Sequence, residues 1–459
     1  MSHLHPDEGG AGMPSRRRSG RLRSQIHAGD ERSGLAHPRT TRLRPQIHAN
    51  EDGAGVTSHR RGKRLRPQTR ASKDGDDMSG LRGTSPEQPA SLPDNQDMLW
   101  EILLRLPQDL YSLHRASAVC KQWRGILVDP RFLCLFHAHH RKPPLLGFFH
   151  YSSKQIVFKP VLAPPDCITP GRFSLGHYSN HILLDSRHGR VLVKGLQLGE
   201  VAVCDPITSK HHRVSIPPEF NGRLFKAAVL CAASNQGHVH GGCHLCPFKV
   251  VLVMIYSEGQ PIASVYSSET ATWSGLISTE PPHDGCFLNG RGTLVGNVLY
   301  WPLNMRGHNI LEFDLDTQNL TVIKGPPDMH MIDLHNFHII EAEDGAVGLA
   351  GVSCLKLLLW QRKIDCQGIP IWFLWKTISW RKLLKITKKR QWLKVVGYDE
   401  DNNVILFDVH DVIYMVQPKS MQARKLDGTR FTCRCYTFTS FYPLGTSIDD
   451  GTNGAEMSG

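Results

Sequence analysis

The chain has 459 residues, 40% of them hydrophobic, which is enough for two or three domains with buried cores. Its formal charge of +12 points first to nucleic acid, but residues 1–92 hold 17 of the 54 Lys and Arg against 10 of the 42 Asp and Glu, so the excess belongs mostly to a tail. The first residues lack the charged-then-apolar pattern of a secretory signal, no apolar run reaches membrane-spanning length, and the 12 cysteines follow no regular framework. Together these predict a soluble intracellular chain with reduced thiols and no membrane partner.

Residues 1–90 are rich in Arg, Gly, Ser, Pro and His and nearly free of aromatics. Such a segment cannot bury enough apolar surface to offset the entropy of ordering, so it is expected to be disordered. It repeats RLRSQIHA (21–28), RLRPQIHA (42–49) and RLRPQTRA (64–71), units with too little apolar content to stack as a solenoid.

Residues 91–141 read as a small helical domain. Asp97 is a plausible N-cap, and Met98, Leu99, Ile102, Leu103 and Leu106 lay an apolar stripe along one helix. Pro107 stops it, and Asp109 can cap a second helix carrying Leu110 and Leu113. A third places Val119, Trp123 and Ile126 on one side before Asp129-Pro130. Phe132, Leu133, Leu135 and Phe136 make a final apolar turn.

From 145 to 445 short β-rich runs alternate with Gly, Pro, Asp and Asn turns: Arg190–Val193, Val201–Cys204, Val250–Tyr256, Ile262–Tyr266, Val298–Trp301, Ile310–Phe313, Val404–Phe407 and Val412–Val416. A strand–turn–strand unit recurs at 201–214, 263–276 and 309–322, with turn threonines Thr208, Thr270 and Thr317, and more weakly at 372–384 and 412–426. Hairpins recurring in this way predict an all-β, propeller-like domain; an irregular β-sandwich is the alternative. Residues 446–459 read as a flexible tail.

The stretch LPDNQDMLWEILLRLPQDLYSLHRASAVCKQWRGILVDPRF resembles an F-box, in Leu92-Pro93, in EILLRLP (101–107) and in VCKQWR (119–124) followed by Asp-Pro-x-Phe. The Asn95-Gln96 region lengthens the run between Leu92-Pro93 and the first helix relative to the family pattern. The β region, through DSRHGRVLV (185–193), VCDPITSKHHRVSIPP (203–218) and the SVYSSETATWS turn (264–274), resembles the propeller-like domain found behind F-boxes in many plant proteins, especially from grasses. The resemblance implies a substrate-recognition subunit of a Skp–cullin–F-box (SCF) ubiquitin ligase, working in ubiquitin-dependent degradation and carrying no catalytic residues. Ile102, Leu106, Pro107, Leu110, Val119, Cys120 and Trp123 would then form the surface for a Skp-type adaptor, and through it a cullin scaffold, or support that surface. The β domain would hold an unnamed protein target. So many large apolar groups on a short helical unit mark an interface, and a Trp at its centre is worth about 2 kcal/mol or more.

His238, His240, Cys243, His244 and Cys246 offer zinc ligands and a C-x-x-C half-site, but no second pair follows at finger spacing. The expectation is a polar loop with incidental thiols, no metal and no cofactor. There is no P-loop, G-x-S-x-G, H-E-x-x-H or RING ligand set. His188-Gly189-Arg190 reads as a turn between strands, and Cys433-x-Cys435 as structural. Arg16-Arg17-Arg18 and RRGKRLR (60–66) could direct nuclear import, so the expected location is nucleus, cytoplasm or both. A nuclear nucleic-acid or chromatin-binding protein acting through the Arg-rich tail is the alternative function.

Overall fold

Alternating apolar runs closed by tight turns can bury both faces only if each small sheet packs against the next, and this chain solves the problem with a ring. The computed structural model describes residues 96–441 apart from short internal stretches. The tail at 1–90 with its repeats, Leu92-Pro93, Asp109, Leu110, Cys433 and the segment 446–459 lie outside the described residues.

The first sheet begins with β1 (Leu145–Ser152) and β2 (Gln155–Pro160). Next come four antiparallel strands in sequential order, β3 (His181–Arg187), β4 (Arg190–Gly195), β5 (Glu200–Asp205) and β6 (Lys210–Ser215). The third sheet has β7 (Lys226–Cys231), β8 (Phe248–Ile255), β9 (Pro261–Ser267) and β10 (Thr272–Trp273), with β11 (Ile277–Ser278) also on β9. The fourth joins β12 (Phe287–Leu288) and β13 (Thr293–Val295) to β14 (Val298–Asn304), β15 (Ile310–Asp314) and β16 (Leu320–Ile323). The fifth is β17 (Phe337–Glu341), β18 (Val347–Val352), β19 (Lys356–Ile364) and β20 (Pro370–Ser379). The sixth is β21 (Leu393–Asp399), β22 (Val404–Val409), β23 (Val412–Val416) and β24 (Ala423–Leu426). The last strand, β25 (Tyr436–Thr439), returns to pair with β1, so the first sheet is built from both ends of the domain.

The result is a six-bladed propeller, and the sandwich alternative is set aside. Six apolar clusters each span two adjacent blades. Phe149, Phe158 and Phe438 of the closing blade meet Val191 and Val193 of the next, and Phe148 meets Leu406 and Ile413 on the other side. The remaining four clusters complete the circle. The β1–β25 ladder shifts register between Leu145 and Gly147. Gly147 is required at that bulge, because a Cβ would run into the Lys159 carbonyl and the Phe158 ring.

The recurrent unit is the outer hairpin of a blade. At β5–β6, Asp205 accepts from the amides of Ile207 and Thr208, and at β15–β16 Asp314 accepts from Asp316 and Thr317, so the Asp starts the turn and the Thr sits inside it. The unit at 412–426 is likewise β23–β24. The one at 372–384 is not a hairpin: it forms the single long strand β20, followed by the short helix α5 (Trp380–Leu383), later in chain order than the four helices below. His188 and Gly189 form the expected turn, with φ of 54° and 74°.

Ahead of the propeller lie α1 (Gln96–Leu104), α2 (Ser112–Ser117), α3 (Lys121–Leu127) and α4 (Pro130–His140). Asp97 falls within the first turn of α1 rather than capping it, and α1 ends before Pro107. Leu99 and Leu103 are buried, while Met98 and Ile102 of the expected stripe face outward. Asp129 caps α4 by accepting from the Arg131 amide at 2.8 Å. The final apolar turn is the 11-residue α4, burying Phe132 and Phe136. No helix among the described residues is long and apolar enough to cross a membrane.

Candidate functional site

The helical unit buries Leu99, Leu103, Leu113, Ile126, Leu127, Phe132 and Phe136 in a core that it shares with Phe441 and with Val239 of the β7–β8 loop. Once that core is filled, Ile102 is left 46% exposed and Val119 59% exposed, beside exposed Pro107 and Cys120. Leu106 and Trp123 are half-buried against the core. Cys120 starts α3, its sulfur accepting from the Trp123 amide at 3.5 Å. Thus Ile102, Pro107, Val119 and Cys120 are exposed, Leu106 and Trp123 are half-buried, and Leu110 lies outside the described residues. Met98 and Leu135, which the sequence placed on apolar helix faces, are exposed as well, and so is Val128, which it did not single out.

The helices dock on one face of the propeller. Gly241, at φ 109°, lies against Pro143, where a Cβ would approach the proline ring to 2.5 Å. The Gly241 carbonyl accepts from Ser440 Oγ (2.7 Å) and the Phe441 amide (3.0 Å), and Phe441 stacks on His137 of α4 at 4.1 Å. Asn402 donates to the Pro143 carbonyl. A cleft of about 430 Å³ remains here, walled by Leu133, Phe136, His137, Val239, Leu245 and Phe441 among others. Burial and the neighbouring histidines, His244 first, pull the His137 imidazole down to about 4.

The loop that reaches the helices leaves β7 and enters β8. Cys231 ends β7 opposite Phe248, and the Ala232 amide bonds to the Pro247 carbonyl, closing the loop at its base. That closure brings Cys231 to the C-x-x-C of Cys243 and Cys246. Together with His238, their ligand atoms all lie within 4.8 Å of one another. Of the five loop residues singled out by sequence, His238, Cys243 and Cys246 converge. His244 instead bonds Asp205 through Nδ1 at 2.8 Å, and His240 stacks on His188 at 3.8 Å with its Nδ1 3.8 Å from the Cys243 sulfur, at the margin of the group. Cys231 was missed because it sits in a strand; its pairing with the start of β8 was the signal. The hydrogen bond between the two thiols draws Cys231 down and pushes Cys243 up.

Near the propeller axis, Arg187 is clamped between Asp185 (2.6 Å) and Glu400 (2.6 Å), and Asp185 also accepts from Arg291 (2.9 Å) and the Val229 amide (2.9 Å). The network ties four blades together with buried charges, each paired as a low-dielectric site requires. Because turns alternate faces along an antiparallel sheet, the turns after β4 and the connections between blades lie on the face away from the helices. Leu196 and Leu224 stand exposed in those segments, Leu224 almost fully at 92%, while Leu276 is exposed on the outer edge of its blade, between β10 and β11 on β9.

Residues 182–444 match the sequence profile of the β-propeller of AT5G49610-like F-box proteins. The chain is also 25% identical over 248 residues to the F-box/kelch-repeat protein At3g61590 of Arabidopsis thaliana, covering 51% of this chain and 57% of that protein, so it spans little more than half of that relative. Among solved structures it is similar to regucalcin, a calcium-binding protein from Agrobacterium tumefaciens (TM-score 0.32, 12% identity, 56% of this chain and 81% of that one). It is also similar to YjhT (TM-score 0.32, 9% identity, 56% and 86%).

Proposed function

The chain belongs to the AT5G49610-like F-box protein family, and from that premise we propose that it is a non-catalytic substrate receptor of an SCF-type ubiquitin ligase. The observation that carries the reading is the helical unit whose core, completed by Phe441, is filled and still leaves Ile102, Pro107, Val119 and Cys120 outside, with Trp123 half-buried. A Skp-type adaptor covers that surface and joins the chain to a cullin scaffold. The propeller holds a protein target, for which the face bearing Leu196 and Leu224 is the natural platform. Ubiquitin transfer then follows from proximity, since holding a target lysine near the charged enzyme raises its effective concentration.

Co-expression of the full chain with a Skp-type adaptor tests this. Wild type is expected to co-purify with it, while Ile102→Asp and Val119→Asp fold normally, since both side chains already face water, and lose it. Trp123→Ala weakens capture by about 2 kcal/mol, some thirtyfold. A wild-type chain that captures no such adaptor, or Asp variants that capture it undiminished, would falsify the reading.

A further inference from the structure

We propose that Cys231, His238, Cys243 and Cys246 bind a structural zinc ion that fastens the β7–β8 loop at the junction of helices and propeller. Zinc held by thiolates at about 2.3 Å and an imidazole at about 2.0–2.1 Å in a tetrahedron spaces its ligand atoms about 3.4–3.8 Å apart. His238 Nε2 lies 3.4 Å from the sulfurs of both Cys231 and Cys243, and the four atoms all fall within 4.8 Å of one another. Four soft or borderline donors gathered within reach of one ion, with no carboxylate among them, select zinc over calcium or magnesium and leave no position open for chemistry.

The surroundings are those of a built site. Cys243 is buried, and the Cys246 amide bonds the Cys243 carbonyl at 3.1 Å, which curls the C-x-x-C into a knuckle. Arg190, itself buried, donates to the carbonyls of Cys243 and Cys246, both at 2.5 Å, pinning that knuckle from behind. Three thiolates on a divalent ion carry one net negative charge, and the guanidinium of Arg190 is placed to offset it. Its Nη1 is buried with no acceptor among the described residues, a donor left over beside a group that would carry negative charge. His188 accepts the Cys231 amide at Nδ1 (3.0 Å), fixing the first ligand at the end of its strand.

The ion has a mechanical task. Sixteen residues, 232–247, join β7 to β8, and none of the described ones has regular secondary structure, yet this loop supplies the contacts to Pro143, His137 and Phe441. Crosslinking its base, middle and end removes the freedom that would blur those contacts. The metal thereby sets the angle at which the propeller presents a target to the ligase.

The test is elemental analysis of the full chain, purified under reducing conditions without added chelator and then offered zinc. Stoichiometric zinc is expected, with most of it lost in Cys231→Ser and Cys243→Ser and retained in His244→Gln, whose ring faces Asp205. Because a Ser variant could fail to fold, wild type is also loaded with cobalt. The thiolate-to-metal band and intense ligand-field bands of a tetrahedral site are expected, together with protection of three thiols from alkylation that EDTA abolishes. Chelation should raise hydrogen exchange in 238–246 and α4 while the far blades stay unchanged. The proposal is overturned if the folded wild type takes up no zinc, if cobalt gives only a weak octahedral spectrum, or if the thiols prove to be paired as a disulfide. Adaptor capture is scored separately, so zinc can fail while the receptor reading stands.

Discussion

Asp185 shows how much one buried residue can hold. It accepts from Arg187, Arg291 and the Val229 amide, so Asp185→Ala strips Arg291 of its paired carboxylate in a dry interior and leaves Arg187 to Glu400 alone. Leaving a buried charge without its partner costs about 3–5 kcal/mol, and denaturant unfolding of the variant should show a loss of that size. His338 gives a pH signature. Burial pulls its imidazole down to about 4 from 6.5, although its Nδ1–H bond to the Ile339 carbonyl opposes the shift. The unfolded chain therefore takes up this proton near 6.5 and the native chain only near 4. The stability it contributes is present above 6.5 and lost as pH falls toward 4. His338→Asn should flatten the acid limb by on the order of 2 kcal/mol, read from urea unfolding at about pH 7.5 and about pH 5. A limb of unchanged slope would refute the assignment.

At the scale of elements, the closing strand matters most. β25 is only four residues long, yet it joins the two ends of the propeller through β1, and Phe438 packs against Phe149, Phe158 and Phe173. Phe438→Ala is expected to cost about 3–5 kcal/mol, typical of a buried aromatic, and to expose the β1 edge. Protease sensitivity should appear first in the closing blade, because a ring opened at its seam frays from there. The turns were the most legible elements: Asp and Thr at fixed offsets, and His-Gly between β3 and β4, state their conformation locally. The unit at 372–384 misled because a helix follows its strand where the other units turn back. Its apolar spacing fits both, and only packing of Trp380 into the core between the last two blades decides.

For the whole molecule, the helical unit and the propeller act as two surfaces held at one junction. Changes on the far face should separate their roles. Leu224→Glu is expected to leave adaptor capture and folding intact and to diminish retention of ubiquitinated target, measured by mass spectrometry of adaptor pull-downs. Deleting residues 1–90 should likewise leave adaptor capture unchanged. If the Arg-rich runs direct import, that deletion lowers the nuclear share of the chain; if they bind DNA, it lowers salt-sensitive retention in chromatin instead.

The sequence by itself determined the helices, the hairpins, the propeller and the family, because capping residues, apolar periodicity and turn chemistry act over a few residues and are written in order. It also named most of the apolar residues on the helical unit, although it could not say which of them turn inward: Leu99 and Ile102 look alike until a core claims one. Tertiary structure alone decided closure of the ring, the axial charge network linking residues more than two hundred positions apart, and the meeting of Cys231 with the C-x-x-C. Each depends on strand register and on which loop lies beside which, quantities that arise only when distant segments pack.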